Sequence, residues 1–221
     1  MASRFDIHLH TCVFSPDSVI TPEQMIEDAL AAGLTGLAIT EHDTLWPADE
    51  LARLALLPGA ERLTILSGVE ISAFEGHFLC FGLESIEGIS PGIRLAELVR
   101  EVRAQKAAIV AAHPFRWDQE FLDIYAEHKY DFAALELASK NMFTEYRLKV
   151  EELVSQNPGQ CLTGSSDAHQ PGQIGCYFTE FDDDITSMKQ LVSSLGSGKF
   201  RPRHNPALSR WQVSGPIPAV R

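Results

Sequence analysis

Residues 5–17 read FDIHLHTCVFSPD. Phe5, Ile7 and Leu9 alternate with Asp6, His8 and His10, the period-two pattern of a strand. His8 and His10 therefore project from one face, two residues apart, a spacing at which two imidazoles can grip one metal ion. A His-x-His pair alone is also ordinary surface chemistry. The metal reading gains weight because polar residues recur where later apolar segments run out. These are His42, Glu70, His113, and Asp167 with His169. With Asp17 and His77 they form a set of six His, two Asp and one Glu. Nitrogen and oxygen ligands without cysteine suit divalent ions such as Zn, Mn or Fe, and the set is too large for one four-coordinate ion. Glu70 is the natural bridge, since a carboxylate offers two oxygens.

The elements that must position these residues follow from pattern. Thr21, Pro22 and Gln24 mark a helix start, with Gln24 completing a capping box, and Gly33 marks its stop. Strands are predicted over 35–40, 63–71, 77–83, 108–112, 132–137, 161–164 and 175–181. Helices are predicted over 48–57, 91–107, 118–127, 142–156 and 185–195. The strand at 35–40 is almost wholly apolar, as a buried parallel strand is. Strand and helix alternate about seven times, which argues for an α/β fold with a parallel sheet and helical crossovers. In a (β/α) barrel the C-terminal strand ends share one rim and carry the chemistry. A doubly wound open sheet normally places a Gly-rich phosphate loop after its first strand, and none stands here.

The chain has 221 residues, 45% hydrophobic and 22% charged, the balance of a soluble globular protein. It reads as one domain over 1–200 followed by a proline-containing tail over 201–221 that wraps the surface or frays. No apolar run reaches the ~20 residues of a membrane span, and the first residues lack the apolar core of a signal peptide. The four cysteines are widely spaced and read as reduced thiols of a cytoplasmic protein. The formal net charge of −12 argues against extended nucleic acid as a partner and leaves a small phosphorylated substrate open.

The segments D-I-H-L-H-T, A-I-T-E-H-D-T, G-V-E-I-S, A-H-P and S-S-D-A-H resemble the motifs of the PHP (polymerase and histidinol phosphatase) superfamily, in the family's order. The resemblance spans about residues 5–181. It implies a distorted seven-stranded (β/α) TIM-like barrel with a trinuclear metal centre, occupied by two or three divalent ions. By the resemblance, His8, His10, Glu70 and Asp167 hold one ion. Glu70, His77 and His113 hold a second, and Asp17, His42 and His169 a third. Two positions depart from the family pattern. Glu41 stands where an Asp is usual, and Pro16 is inserted before Asp17.

The activity implied is hydrolysis of a small phosphomonoester by in-line attack of metal-activated water. The catalytic set is then His8, His10, Glu70, Asp167 and His169, acting through metals. Arg116 can add a forked contact to phosphate, and Lys140 and Asn141 can line the same rim. Asp43 and His169 are candidates for the general acid. His128 and His204 match no motif and read as surface histidines. The alternatives are a nucleotide-directed phosphodiesterase or 3′–5′ exonuclease, an amidohydrolase-type barrel, and a metal-stabilised module without activity. An amidohydrolase barrel commonly bridges its metals with a modified Lys, and Glu70 disfavours it.

Overall fold

The computed structural model describes residues 2–117 and 121–217. The first three residues of the helix predicted over 118–127 lie outside the described residues, as does Pro218 of the tail.

The strands are β1 (Ser3–Asp6), β2 (Gly36–Ile39), β3 (Thr64–Ser67), β4 (Val69–Ala73), β5 (Gly76–Phe81), β6 (Ala108–Ala111), β7 (Phe132–Ala138), β8 (Leu162–Gly164), β9 (Tyr177–Phe181) and β10 (Phe200–His204). The helices are α1 (Pro22–Ala31), α2 (Ala48–Leu54), α3 (Leu95–Ala104), α4 (Phe121–His128), α5 (Thr144–Ser155) and α6 (Met188–Ser197). In α1 the Thr21 hydroxyl accepts from Gln24 N at 3.2 Å, and Pro22 opens the first turn. The Gln24 side chain does not reach back to close the capping box. It donates forward to Asp28 at 2.9 Å.

The strands form two five-stranded mixed sheets, ordered β10-β9-β1-β2-β3 and β4-β5-β6-β7-β8. Pairings β1/β2, β2/β3, β6/β7 and β7/β8 are parallel, as a crossover fold requires. The others are antiparallel. β4 and β5 make a hairpin, and β9 runs against both β1 and β10. The strand predicted over 63–71 breaks at Gly68. A Cβ there would stand 2.8 Å from the Phe81 ring, so only glycine lets β5 pack this closely. Phe200 and residues 201–204 of the predicted tail extend the first sheet, and Arg147 of α5 donates to the carbonyls of Ser214 and Pro216.

Backbone bonds join the two sheets at two places. Asp167 N donates to His8 O at 2.7 Å and His10 N to Ala168 O at 3.0 Å. On the other side Gly68 N reaches Ile39 O at 2.8 Å and Glu70 N reaches Glu41 O at 3.0 Å. One apolar cluster draws on both sheets, with Phe5 and Ala38 from the first and Leu79, Val110 and Ala134 from the second. Burial of such side chains stabilises the fold by roughly 1.5–3 kcal/mol each for the larger ones. The seams and the shared core fix the strand ends relative to one another. Among the described residues no helix is long and apolar enough to cross a membrane.

Candidate metal centre

His8 and His10 follow β1 and are fully buried. His42 lies three residues beyond β2, Glu70 is in β4, His77 in β5, and His113 two residues beyond β6. Asp167 and His169 follow β8. Asp17 stands on the loop between β1 and α1 and is 53% exposed. The structure brings all of these predicted ligands together.

Glu70 is the hub. Its Oε1 lies 2.8 Å from His77 Nδ1 and 3.1 Å from His113 Nε2. Its Oε2 lies 3.0 Å from His42 Nδ1, 3.2 Å from His10 Nε2 and 3.3 Å from His8 Nε2. Asp167 Oδ1 stands 3.4 Å and 3.5 Å from the same two Nε2 atoms. Asp17 Oδ2 closes the outer edge, 3.3 Å from His42 and 3.1 Å from His169. Among the described residues, four subsets have their candidate ligand atoms within 4.8 Å of one another. They are His8-His10-Glu70, His42-Glu70-His77, His8-His113-Asp167 and His10-His42-His169.

The cluster attracts positive charge. Burial alone would lower the pKa of His8, but Asp167, Glu70 and Glu136 raise it well above the usual imidazole value. Burial likewise opposes protonation of His10, yet Asp167 and Glu70 push it up to about 9. Burial disfavours the charged carboxylates of Glu70 and Asp167, but the surrounding histidines hold both well below the usual range. Despite full burial, His8 Nε2, His10 Nε2 and Glu70 Oε2 make no hydrogen bond of good geometry. Buried polar atoms are normally satisfied, so three such atoms facing one another are what a cation site requires. The donor set fits divalent metals.

Other side chains aim the ligands. Glu136 of β7 is fully buried, 3.0 Å from His8 Nδ1, and accepts from His113 N at 2.9 Å and from the Ser165 hydroxyl. A carboxylate on the far nitrogen of a ligand histidine fixes its tautomer and orientation. Glu41 accepts from the Thr11 and Ser15 hydroxyls and from Trp46 Nε1, and Ser15 in turn stands 3.2 Å from His10 Nδ1. The departure at position 41 thus keeps a carboxylate bracing the His10 loop. Asp6, whose pKa burial pushes up to about 6, accepts from Ser166 N and Gly175 N and holds the loop carrying Asp167. Sequence reasoning missed Glu136 and Asp6. The available signal was a lone carboxylate inside an apolar strand (FAALELA) and another two residues before His8.

Left-handed backbone also concentrates here. Asp43, His113, Phe115 and Asp167 have φ of 49°, 29°, 67° and 51°. Such conformations cost free energy in non-glycine residues and tend to gather at functional sites. Asp43 accepts from Ser72 N at 2.8 Å and donates from its own N–H to Glu70 O, which engages it with the hairpin backbone. Arg116 reaches toward Asp167 at 3.9 Å, and it lines a cavity of about 340 Å3 with Lys140 and Asn141. His128 and His204 lie outside the cluster. His128 is mostly buried against Asp131 at 3.1 Å rather than surface-exposed, because that carboxylate partners it in the fold. His204 accepts from Ile217 N.

A family described as PHP-associated matches residues 151–200. An uncharacterised protein of Methanocaldococcus jannaschii is 29% identical over 121 residues, 51% of this chain and 68% of that protein. A 5′-3′ exoribonuclease of Haemophilus influenzae is 36% identical over 78 residues, 35% of this chain and 27% of that enzyme. Among solved structures, a two-domain protein of Bacteroides vulgatus containing a predicted PHP-like metal-dependent phosphoesterase superposes with a TM-score of 0.70 at 21% identity. That match covers 93% of this chain and 65% of the other. The chain shares the fold of that PHP-like protein. The lesion-specific endonuclease Q of Pyrococcus furiosus has the same fold, with a TM-score of 0.65 and 16% identity over 92% of this chain and 58% of its own. Endonuclease Q has also been seen with a 27-mer duplex bearing an abasic lesion. The same fold thus serves an endonuclease seen with a 27-mer duplex, and the argument that net charge sets extended nucleic acid aside is overturned. Net charge averages the whole surface, whereas a strand end meets only the local rim.

Proposed function

We propose that this protein is a PHP-superfamily, metal-dependent hydrolase of phosphate esters, with phosphomonoesters as its leading substrates. The observation that carries the reading is the set of buried, unpartnered ligand atoms around Glu70. His8, His10, Glu70 and Asp167 would hold one ion, Glu70, His77 and His113 a second, and Asp17, His42 and His169 a third. The ions would be two or three of Zn, Mn or Fe. When bound, divalent ions supply Lewis acidity, lowering the pKa of water to roughly 7 and neutralising charge on phosphate. The chain's own groups do the rest. Arg116 presents forked donors to phosphate oxygens, and Lys140 adds a point charge on the same cavity. Asn141 donates to Asp167 and keeps that carboxylate turned inward. Glu136 holds the proton on His8 Nδ1, which leaves Nε2 free as a ligand. Neither general-acid candidate is free for that role, since His169, 3.1 Å from Asp17, would be a ligand of the third ion and Asp43 is engaged with backbone.

The two sheets, stitched at both seams, are read as one distorted seven-stranded barrel, with residues 1–200 as its domain. The four free cysteines suit a reducing, cytoplasmic setting. A second reading, a phosphodiesterase acting on nucleic acid, is favoured by the exoribonuclease and endonuclease relatives. One experiment separates them: hydrolysis of p-nitrophenyl phosphate and of bis(p-nitrophenyl) phosphate, before and after chelation and with Mn or Zn restored. The leading reading expects metal-dependent release from the monoester in excess of the diester. Release that ignores chelation would remove it.

A further inference from the structure

The cavity beside the ligand cluster is walled by charged, amide and imidazole groups except at Trp117. This residue ends the segment His113-Pro114-Phe115-Arg116-Trp117. Phe115 takes a left-handed φ of 67° and buries its ring in the core. Arg116 and Trp117 are both left lining the cavity. Trp117 is 45% exposed. Its ring centroid lies 4.5 Å from that of His77 and 5.1 Å from that of His113. The Arg116 guanidinium sits 4.8 Å from the ring centroid while also reaching toward Asp167.

A large indole left nearly half open beside a polar cluster offers what no other described residue lining that cavity offers, a broad π surface. Base stacking on such a surface tolerates any nucleobase, because every base has a π face. Arg116, next to it, joins the ring to the place where phosphate charge must sit. A space of about 340 Å3 is at the small end of ligand pockets and suits one nucleoside unit. We propose that Trp117 is a stacking platform for a nucleobase, so that the substrate class is a nucleoside phosphate, free or at the end of a strand. The proposal rests on the phosphoesterase reading and narrows it.

The rival is a shield, in which Trp117 only keeps water from His77 and His113. Equilibrium binding separates the two. Manganese-loaded protein is titrated by calorimetry with adenosine 5′-monophosphate, with ribose 5-phosphate and with a 5′-phosphorylated tetranucleotide, and bound metal is measured alongside. The proposal expects the nucleotide to bind about tenfold or more tighter than the sugar phosphate. That ratio should collapse toward one in Trp117→Leu and be largely kept in Trp117→Phe, with equal metal content in both variants. A tetranucleotide that binds tighter than the mononucleotide would assign the site to strand ends, and equal affinity would assign it to free nucleotides. A ratio near one in the unaltered protein, or a ratio unchanged in Trp117→Leu, overturns the proposal. Loss of metal from Trp117→Leu with the ratio preserved establishes the shield instead. Hydrolysis is scored separately. Base-selective binding without phosphate release would leave the platform standing and remove the phosphoesterase reading.

Discussion

Glu70 faces five imidazoles, three on one oxygen and two on the other. Glu70→Gln would remove the charge that the two proposed metal positions share while keeping the side chain's shape. Metal analysis should show both positions depleted, and loss of at most one equivalent with activity kept would refute bridging. Glu136 acts one step further out, through His8 Nδ1 and the backbone of His113. Glu136→Gln should weaken metal affinity about 10–100-fold, read by competition with a fluorescent chelator. Unchanged affinity would reduce Glu136 to a strand residue. The cluster was legible in the sequence because histidine at a strand end is rare enough to notice when it recurs. Their bracing residues were not. A buried carboxylate such as Glu136 differs from a surface one only by its partners, and those partners come from segments far apart in the chain.

Among elements, the parallel strands and the helices between them could be read from apolar runs and caps, Thr21 and Gly33 being the clearest. Strand direction could not. An apolar segment looks alike whether it runs with its neighbour or against it, so the β4/β5 hairpin and the antiparallel β9 and β10 were not foreseen. The β9/β10 pairing is tied by Glu180, which accepts from Arg201 at 2.8 Å and from Arg203 at 3.0 Å. Burial alone would raise the pKa of Glu180, but the two arginines outweigh it and hold it below the usual carboxylate value. A depressed folded pKa stabilises the fold above the unfolded value near 4.3, and that contribution is lost as pH falls through the folded value. Glu180→Gln should therefore cost about 1 kcal/mol at pH 7 in urea unfolding, and the difference should shrink as pH is lowered from about 4 toward 3. A difference that persists undiminished in acid would mean the charge is not what ties the two strands.

For the whole molecule, the expected regular alternation of strand and helix is present as two mixed sheets that share a core and two hydrogen-bonded seams. Those seams run beside the ligands. Asp167 N bonds to His8 O, and Glu70 N bonds to Glu41 O, so backbone pairing itself sets the distances between ligand-bearing strand ends. The formal charge of −12 led away from nucleic acid because it counts acidic residues wherever they lie. The carboxylates of the centre are themselves matched by histidines, and Arg116 and Lys140 face the cavity they enclose. The central claim is that these side chains are metal ligands. Anomalous diffraction from crystals grown with Mn or Zn tests it most directly. Peaks should stand about 2.0–2.3 Å from His8 Nε2, His10 Nε2, Glu70 and Asp167, with a second peak sharing Glu70. Metal peaks found only elsewhere, with hydrogen-bonded waters among these side chains, would contradict the account.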